Sequence, residues 1–244
     1  MSTPVAKVDC IGLVVALPAE ARSVGARGVR PGECTRWQHG WVAVSGVGPH
    51  NAMRAAERLL ACRVTRLANW GVAGALDARL EPGDILVPDR IRHAPDDPGF
   101  ATDPVARERI ISACSGTLTV RRGALWSASE PIPTRADKRA LAERSGAIAV
   151  DMEAASVAAV AARANLPFVA VKAICDPLAR ELPPRIVRAL DGGDGGVSWR
   201  MFAAIAFGGP ATWSAARSLA QDFSHARRAL ASAARLAARE SVAA

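Results

Sequence analysis

Two short apolar runs constrain this chain most: Cys10 to Leu17, which is unbroken, and Phe168 to Ile174, which is apolar but for Lys172. Neither alternates apolar with polar, so neither can be a half-exposed strand. Runs of this length without alternation are what strands buried on both faces look like, and such strands sit in the centre of a largely parallel sheet covered by helices. Each run also stops at a proline with a carboxylate beside it, Pro18 before Glu20 and Asp176 before Pro177. A strand that ends this way carries an acidic group to its carboxyl end, which is where open α/β sheets bind ligands.

The rest of the chain repeats the unit. Trp41 to Val44 reads as a strand, Ser45-Gly46-Val47-Gly48-Pro49 as a turn, and Asn51 to Cys62 as a helix. Leu67 to Trp70 reads as a further strand, broken by Gly71-Val72-Ala73-Gly74. The Glu81-Pro82-Gly83-Asp84 turn leads into Ile85 to Val87, and Ile91 to Asp103 has the Asp and Pro content of a surface excursion. Strands are expected at Leu118 to Val120, Ala124 to Trp126 and Ala147 to Val150, with helices at Arg135 to Arg144 and Glu153 to Ala164. The expected fold is a single α/β domain, a three-layer α/β/α sandwich with a mixed central sheet, followed by a C-terminal helical tail. We place the catalytic core at residues 1–196 and a helical extension packed on it at 197–244, divided by the glycine-rich stretch Asp191 to Gly196.

The 244 residues suffice for one such core, and the formal charge of +8 suits an anionic partner. The arginines are dispersed and no basic segment is interleaved with aromatics, which argues against nucleic acid. No run reaches the roughly eighteen apolar residues of a membrane span, and the N-terminus lacks a secretory pattern, so a cytoplasmic protein is expected. Five scattered cysteines suggest reduced thiols. The four histidines show no ligand spacing, and neither a metal nor a redox cofactor is expected.

Taken singly, the acidic residues have bland readings. Glu153 could be a helix N-terminal charge, Asp176 a turn former, and Glu20 an exposed first-turn residue. Together, at strand ends of a basic protein, they suit cleavage of a purine nucleoside's N-glycosidic bond. That reaction builds positive charge on the ribose and negative charge on the base, so it gains from carboxyl groups in three roles.

The chain also resembles the nucleoside phosphorylase and methylthioadenosine/adenosylhomocysteine nucleosidase superfamily. The resemblance rests on AVDMEAAS at 149–156, PFVAVKAICDP at 167–177, IGLVVALPAEA at 11–21, VSGVG at 44–48 and NWGVAGALDARLEPGDILVP at 69–88. It implies Asp176 as the acid that protonates the base, Glu20 as the group that activates water, Met152 and Glu153 as ribose ligands, and Ile132 beside the purine. Ser129 and Pro131 depart from the family pattern near Ile132. Gly71, Val72 and Gly74 fall in the nucleophile-site loop, where Val72 and Asn69 stand in place of a serine and an arginine that hold phosphate in phosphorylases. Valine offers only its backbone N–H and asparagine no charge, which favours water over phosphate. Arg22 is the cation left to serve phosphate as co-substrate should the chain be a phosphorylase.

CDPLARELPPRIVRALDGGDG at 175–195 and the Arg/Ala-rich tail resemble the hopanoid-biosynthesis-associated branch, implicated in removing adenine from adenosylhopane. That resemblance implies a lipid-linked nucleoside and gives the basic charge and amphipathic tail a peripheral membrane use. Packing of the tail on its own domain or on another subunit of a homo-oligomer is the alternative. Methylthioadenosine/adenosylhomocysteine nucleosidase activity, phosphorolysis, and a catalytically silent nucleoside- or lipid-binding protein on the same fold are the competing functions.

Overall fold

A computed structural model describes residues 9–181 and 209–243, with side chains of the last segment described from 217 to 239. The expected domain break at Asp191 to Gly196 lies outside the described residues. The elements run β1 (Ile11–Val15), α1 (Pro18–Ser23), β2 (Cys34–Trp37), β3 (Gly40–Val44), α2 (Pro49–Ala61), β4 (Arg66–Ala75), β5 (Ile85–Leu86), β6 (Arg90–Arg92), β7 (Phe100–Ala101), α3 (Pro104–Ser115), β8 (Val120–Arg121), β9 (Ala124–Ser127), α4 (Arg135–Ser145), β10 (Ala149–Asp151), α5 (Ala154–Arg163), β11 (Phe168–Asp176) and α6 (Gly209–Ala243).

The sheet is mixed, ordered β2-β3-β1-β4-β10-β9-β6-β7, with β11 on the other edge of β4 and β5 and β8 beyond it. The two apolar runs flank β4 directly: β1 pairs parallel with Arg66 to Asn69, and β11 pairs parallel with Leu67 to Gly74. One face carries α2 and α5 over Val14, Ala43 and Leu67. The opposite face carries α1, α3 and α6 over Leu13, Val15, Trp70 and Val171. Adjacent residues of one strand thus serve different layers, which is why the runs are apolar on both faces but for Lys172.

Three expectations need correction. The Gly71 to Gly74 stretch is not a break; β4 continues through it to Ala75, because neither glycine adopts a positive φ and β11 pairs with the whole segment. The surface excursion contains β6 and β7, which close the sheet edge through Ile91 and Phe100. The edge strand β2 and helix α3 were not anticipated. The first carries Thr35 and Arg36 at positions a buried strand would not, and the second starts from an Asp103 cap that accepts from the Ala106 N–H at 2.6 Å.

Ala226, Ala229, Leu230 and Ala233 of α6 are buried against the sheet, while Arg228, Arg235 and Arg239 are exposed. The apolar stripe is therefore covered by the chain's own core over the described length. Among the described residues no helix is long and apolar enough to cross a membrane.

Gly40 starts β3 at φ +143, and a Cβ there would lie 2.2 Å from the Ile11 carbonyl oxygen. Gly40→Ala is expected to destabilise the fold by on the order of 2–4 kcal/mol, from backbone strain plus the clash with β1. Urea unfolding of the variant measures this directly.

Candidate active site

The geometry begins with an exchange of partners along one edge of β4. β1 leaves that edge after Asn69 and β10 joins it, antiparallel, at Gly74 and Ala75. Between them the edge lacks a strand, and Glu20 occupies the gap. Its Oε1 accepts from the Val72 N–H at 3.0 Å, and its Oε2 accepts from the Ala16 and Leu17 N–H groups at 2.8 and 2.9 Å. Gly71 is needed for this fit, since a Cβ there would lie 2.6 Å from Oε1. Glu20 is 2 % exposed, not the exposed helix residue that its position alone suggests.

The β3–α2 turn and the β10–α5 junction contribute the second carboxylate. Glu153 precedes α5 but caps nothing in it. Its Oε1 accepts from the Gly48 N–H at 2.7 Å, across the site, and its Oε2 accepts from the Met152 N–H at 3.3 Å. Gly48 has φ +99, a conformation that suits glycine and aims its N–H inward. The capping of α5 falls instead to Asp151, whose Oδ2 accepts from Ala154 at 2.9 Å, and to Ser127, whose Oγ accepts from Ala155 at 3.2 Å.

Lys172 holds this group together. It lies in the middle of β11, 2 % exposed, with its Nζ 2.7 Å from Asp151 Oδ2. Burial opposes its charge, yet the fields of Asp151, Glu153 and Glu20 outweigh that and raise its pKa. Burial also raises the Glu20 carboxyl above the ordinary range, with Lys172 and the three backbone donors opposing. Glu153 is pushed up to about 7 by burial and by the neighbouring Asp151, again against Lys172 and the Gly48 N–H. One ammonium thus faces three carboxylates, two of which have raised proton affinity.

Asp176 closes the far side at the end of β11, after a register shift between Ile174 and Asp176. Its side chain forms no local turn. Oδ2 accepts from Lys138 Nζ of α4 at 2.6 Å, and Oδ1 is buried without a partner among the described residues. Burial raises its pKa, with Lys138 opposing. Gly74 connects this corner to the next: a Cβ there would meet Val150 at 3.4 Å and Asp176 Oδ2 at 3.5 Å. Val150 belongs to the apolar cluster of Trp126, Ala128 and Leu141 against which Ile132 packs.

The structure therefore gathers Glu20, Gly71, Val72, Met152 and Glu153 around Lys172, and sets Asp176, Gly74 and the Ile132 cluster beside them. Arg22 is exposed on α1; the cation buried among the carboxylates is Lys172, and it is paired with Asp151. Asn69 is buried, and its Nδ2 donates to the Val14 carbonyl at 3.2 Å, stitching β1 to β4. Asp151, Lys172 and Lys138 were missed. Lys172 left a signal in the sequence, a lone charge inside a buried strand, which is tolerated only where a counter-charge waits.

All five cysteines are free, and among the described residues no group of His, Cys, Asp and Glu side chains is arranged to hold a metal. A cavity of about 630 Å³ lies elsewhere, at the amino ends of β1, β4 and β11 under α3 and α6, lined by Leu13, Trp37, Trp70, Val169 and Ala234.

A mixed sheet between helical layers, with a carboxylate cluster at the strand ends, defines an α/β protein of the kind that binds ligands beyond the carboxyl ends of its strands. The chain belongs to the Phosphorylase superfamily, whose profile matches residues 11–185. Its fold is that of the futalosine hydrolase of Helicobacter pylori strain 26695, with TM-score 0.70 at 19% identity over 96% of this chain and 98% of that one. It is similarly close to the 5′-methylthioadenosine/S-adenosylhomocysteine nucleosidases of H. pylori (TM-score 0.69, 19% identity, 96% and 99% covered) and of Neisseria meningitidis (TM-score 0.70, 17% identity, 95% and 99% covered). The N. meningitidis protein was solved with methylthio-immucillin-A bound.

Two outcomes follow from this geometry. Gly71→Ala is expected to displace Glu20 and lower turnover at least about tenfold while leaving the fold intact, checked by steady-state kinetics beside a thermal melt. For Glu153, the folded-state pKa lies above the unfolded one, so the native state binds the extra proton between roughly pH 4.5 and 7. Its stabilising contribution is full below that window and falls as pH rises through it. Glu153→Gln is expected to remove that slope and to gain on the order of 1–3 kcal/mol over the parent above pH 7, read from urea unfolding at several pH values.

Proposed function

We propose that the chain is an N-glycosyl hydrolase that releases adenine from a 5′-substituted adenosine. The observation that carries this reading is the cluster of Glu20, Asp151 and Glu153 around the single charge of Lys172. A phosphate dianion entering there meets three carboxylates and one ammonium already bound to Asp151; a water molecule meets no such repulsion. The bonding of the Val72 N–H to Glu20 supports the same preference, because it removes the donor that phosphate would use. Phosphorolysis is the less favoured alternative.

The proposed chemistry follows from the placement of each group. As the C1′–N9 bond lengthens, its electron pair leaves with the purine, and Asp176 donates a proton to N7 so that a neutral base departs. Glu153, beside Met152, accepts hydrogen bonds from the ribose hydroxyls and offsets the positive charge developing on the ring. Glu20 takes a proton from the water that adds to C1′. Its raised proton affinity suits that task, and three backbone N–H groups hold its orientation. Ile132 and its cluster offer an apolar wall to the base.

For the 5′ substituent, we infer a lipid, as in adenosylhopane, which would place the protein in hopanoid biosynthesis. The support is the sequence resemblance at residues 175–195 and the exposed arginines of α6, which suit the anionic face of a membrane. The apolar side of α6 faces the core, so such contact would be electrostatic and peripheral, with no insertion of that stripe. The competing substrates are 5′-methylthioadenosine and S-adenosylhomocysteine, consistent with the named activity of two of the structural neighbours. The homo-oligomer expected from the resemblance stays a proposal.

The test is adenine release in phosphate-free buffer from adenosylhopane and from 5′-methylthioadenosine. Release from the lipid-linked substrate without phosphate is expected; release from methylthioadenosine alone would overturn the lipid assignment, and strict dependence on phosphate would overturn hydrolysis. Asp176→Asn is expected to lower kcat by about 10²–10⁴ with a much smaller effect on substrate binding. Tight nucleoside binding with no adenine released from either substrate would mark a binding protein.

A further inference from the structure

Lys138 is buried completely, and nothing in its own helix explains why. It is the fourth residue of α4, at the end of the helix where the macrodipole disfavours a cation. Its stem reaches away from α4 to the end of β11. There the ammonium uses three donors: Nζ to Asp176 Oδ2 at 2.6 Å, to the Pro177 carbonyl at 3.2 Å and to the Arg180 carbonyl at 3.2 Å. A lysine has three donors in all. The contact leaves Asp176 held by one oxygen, while Oδ1, also buried, has no hydrogen-bond partner among the described residues. A buried carboxylate oxygen without a partner is costly, and it has the place of an acceptor or donor reserved for a bound molecule.

We propose that Lys138 is a positioning residue for base protonation: it grips Asp176 by Oδ2, turns Oδ1 toward the departing purine, and stabilises the carboxylate left behind. The proposal rests on the reading of Asp176 as the general acid. In the step it serves, the C1′–N9 electron pair goes to the base, the proton on Asp176 Oδ1 goes to N7, and water supplies the new C1′–O bond while its proton goes to Glu20. Asp176 ends the step as an anion beside the Lys138 ammonium, and solvent then reprotonates it as Glu20 releases its proton. The attraction between Lys138 and Asp176 is strongest for that anion, so it favours the state after transfer over the state before it.

The other charged groups near Asp176 are fixed by contacts of their own. Arg180, on the turn after β11, is bonded to Asp222 and Ser218 of α6. The Cys175 thiol is pushed up by burial and stays neutral. Glu20, across the site, is held by backbone donors. Burial and Asp222 push the Asp176 proton affinity up; Lys138 and Arg180 pull it down. Removing Lys138 therefore leaves Asp176 a weaker acid, protonated to higher pH.

The experiment compares wild type, Lys138→Met, which keeps length and removes charge, and Lys138→Arg, which keeps charge. Adenine release is followed against pH with adenosylhopane and 5′-methylthioadenosine, after thermal melts establish that each variant folds. For Lys138→Met, kcat is expected to fall at least about tenfold and the alkaline limb of kcat/KM to move up by about one pH unit or more; Lys138→Arg should leave the limb near its wild-type position. The 13C resonance of the Asp176 carboxyl, assigned with Asp176→Asn, gives the same comparison without substrate, and Lys138→Gln replaces Lys138→Met should the latter fail to fold. A folded, slowed Lys138→Met enzyme whose limb and carboxyl titration do not move would make Lys138 a purely structural residue and overturn the proposal. Unchanged turnover in Asp176→Asn would overturn instead the reading of Asp176 as the acid.

Discussion

The ion pair between Lys172 and Asp151 is the constraint on which the rest of the structure depends. An ammonium in the middle of a buried strand is tolerable only with a counter-charge at contact distance, and removing one partner of such a pair typically costs about 3–5 kcal/mol. Asp151 supplies that charge from the end of β10, and the same carboxylate caps α5. One contact therefore fixes β11 against β10, sets where α5 begins, and leaves Met152 and Glu153 as the two residues between cap and helix. The direction of Glu153 into the site is a consequence of that arrangement. So is the departure of β1 from β4, since the volume between β1 and β10 is filled by acidic side chains facing one cation.

Much of this was legible in the sequence. The apolar runs place β1 and β11 at the centre, because a strand covered on both faces leaves almost no position for a polar residue, Lys172 being the exception. The carboxylates at their ends follow from the direction of parallel strands. What remained hidden depends on partners far apart in sequence. Gly71 and Gly74 look like a break when read locally, yet they extend a strand in which side chains are absent so that Glu20 and Asp176 can approach the backbone. β2 is an edge strand whose polar residues face solvent, so it lacks the pattern that marks an interior one. Lys138 carries no local sign at all; a lysine in a helix is ordinary until its end is seen to lie beside β11.

The site combines two electrostatic environments within one sheet. Around Lys172, the carboxylates outnumber the cation, and burial raises the proton affinity of Glu20 and Glu153. At the end of β11, Asp176 faces Lys138 alone at contact distance, with Arg180 behind it. A reaction that must give a proton on one side of the substrate and receive one on the other is served by such a division. The two regions share β4 and β11 as walls, and the small residues of β4 keep them open to each other.

The position of α6 bears on how the protein is made. Its buried residues Ala226, Leu230 and Ala233 cover Leu13 and Val15, so an element that follows every other in chain order closes a face built from the first strand. On the ribosome, the α2 and α5 side of the sheet can acquire its helices as they emerge, whereas the other face, which α1 and α3 cover only in part, is completed once α6 has been translated. An apolar surface exposed for that interval is a natural target for chaperones, and it makes the catalytic face, already assembled on the opposite ends of the same strands, dependent on a helix that touches none of the reacting groups.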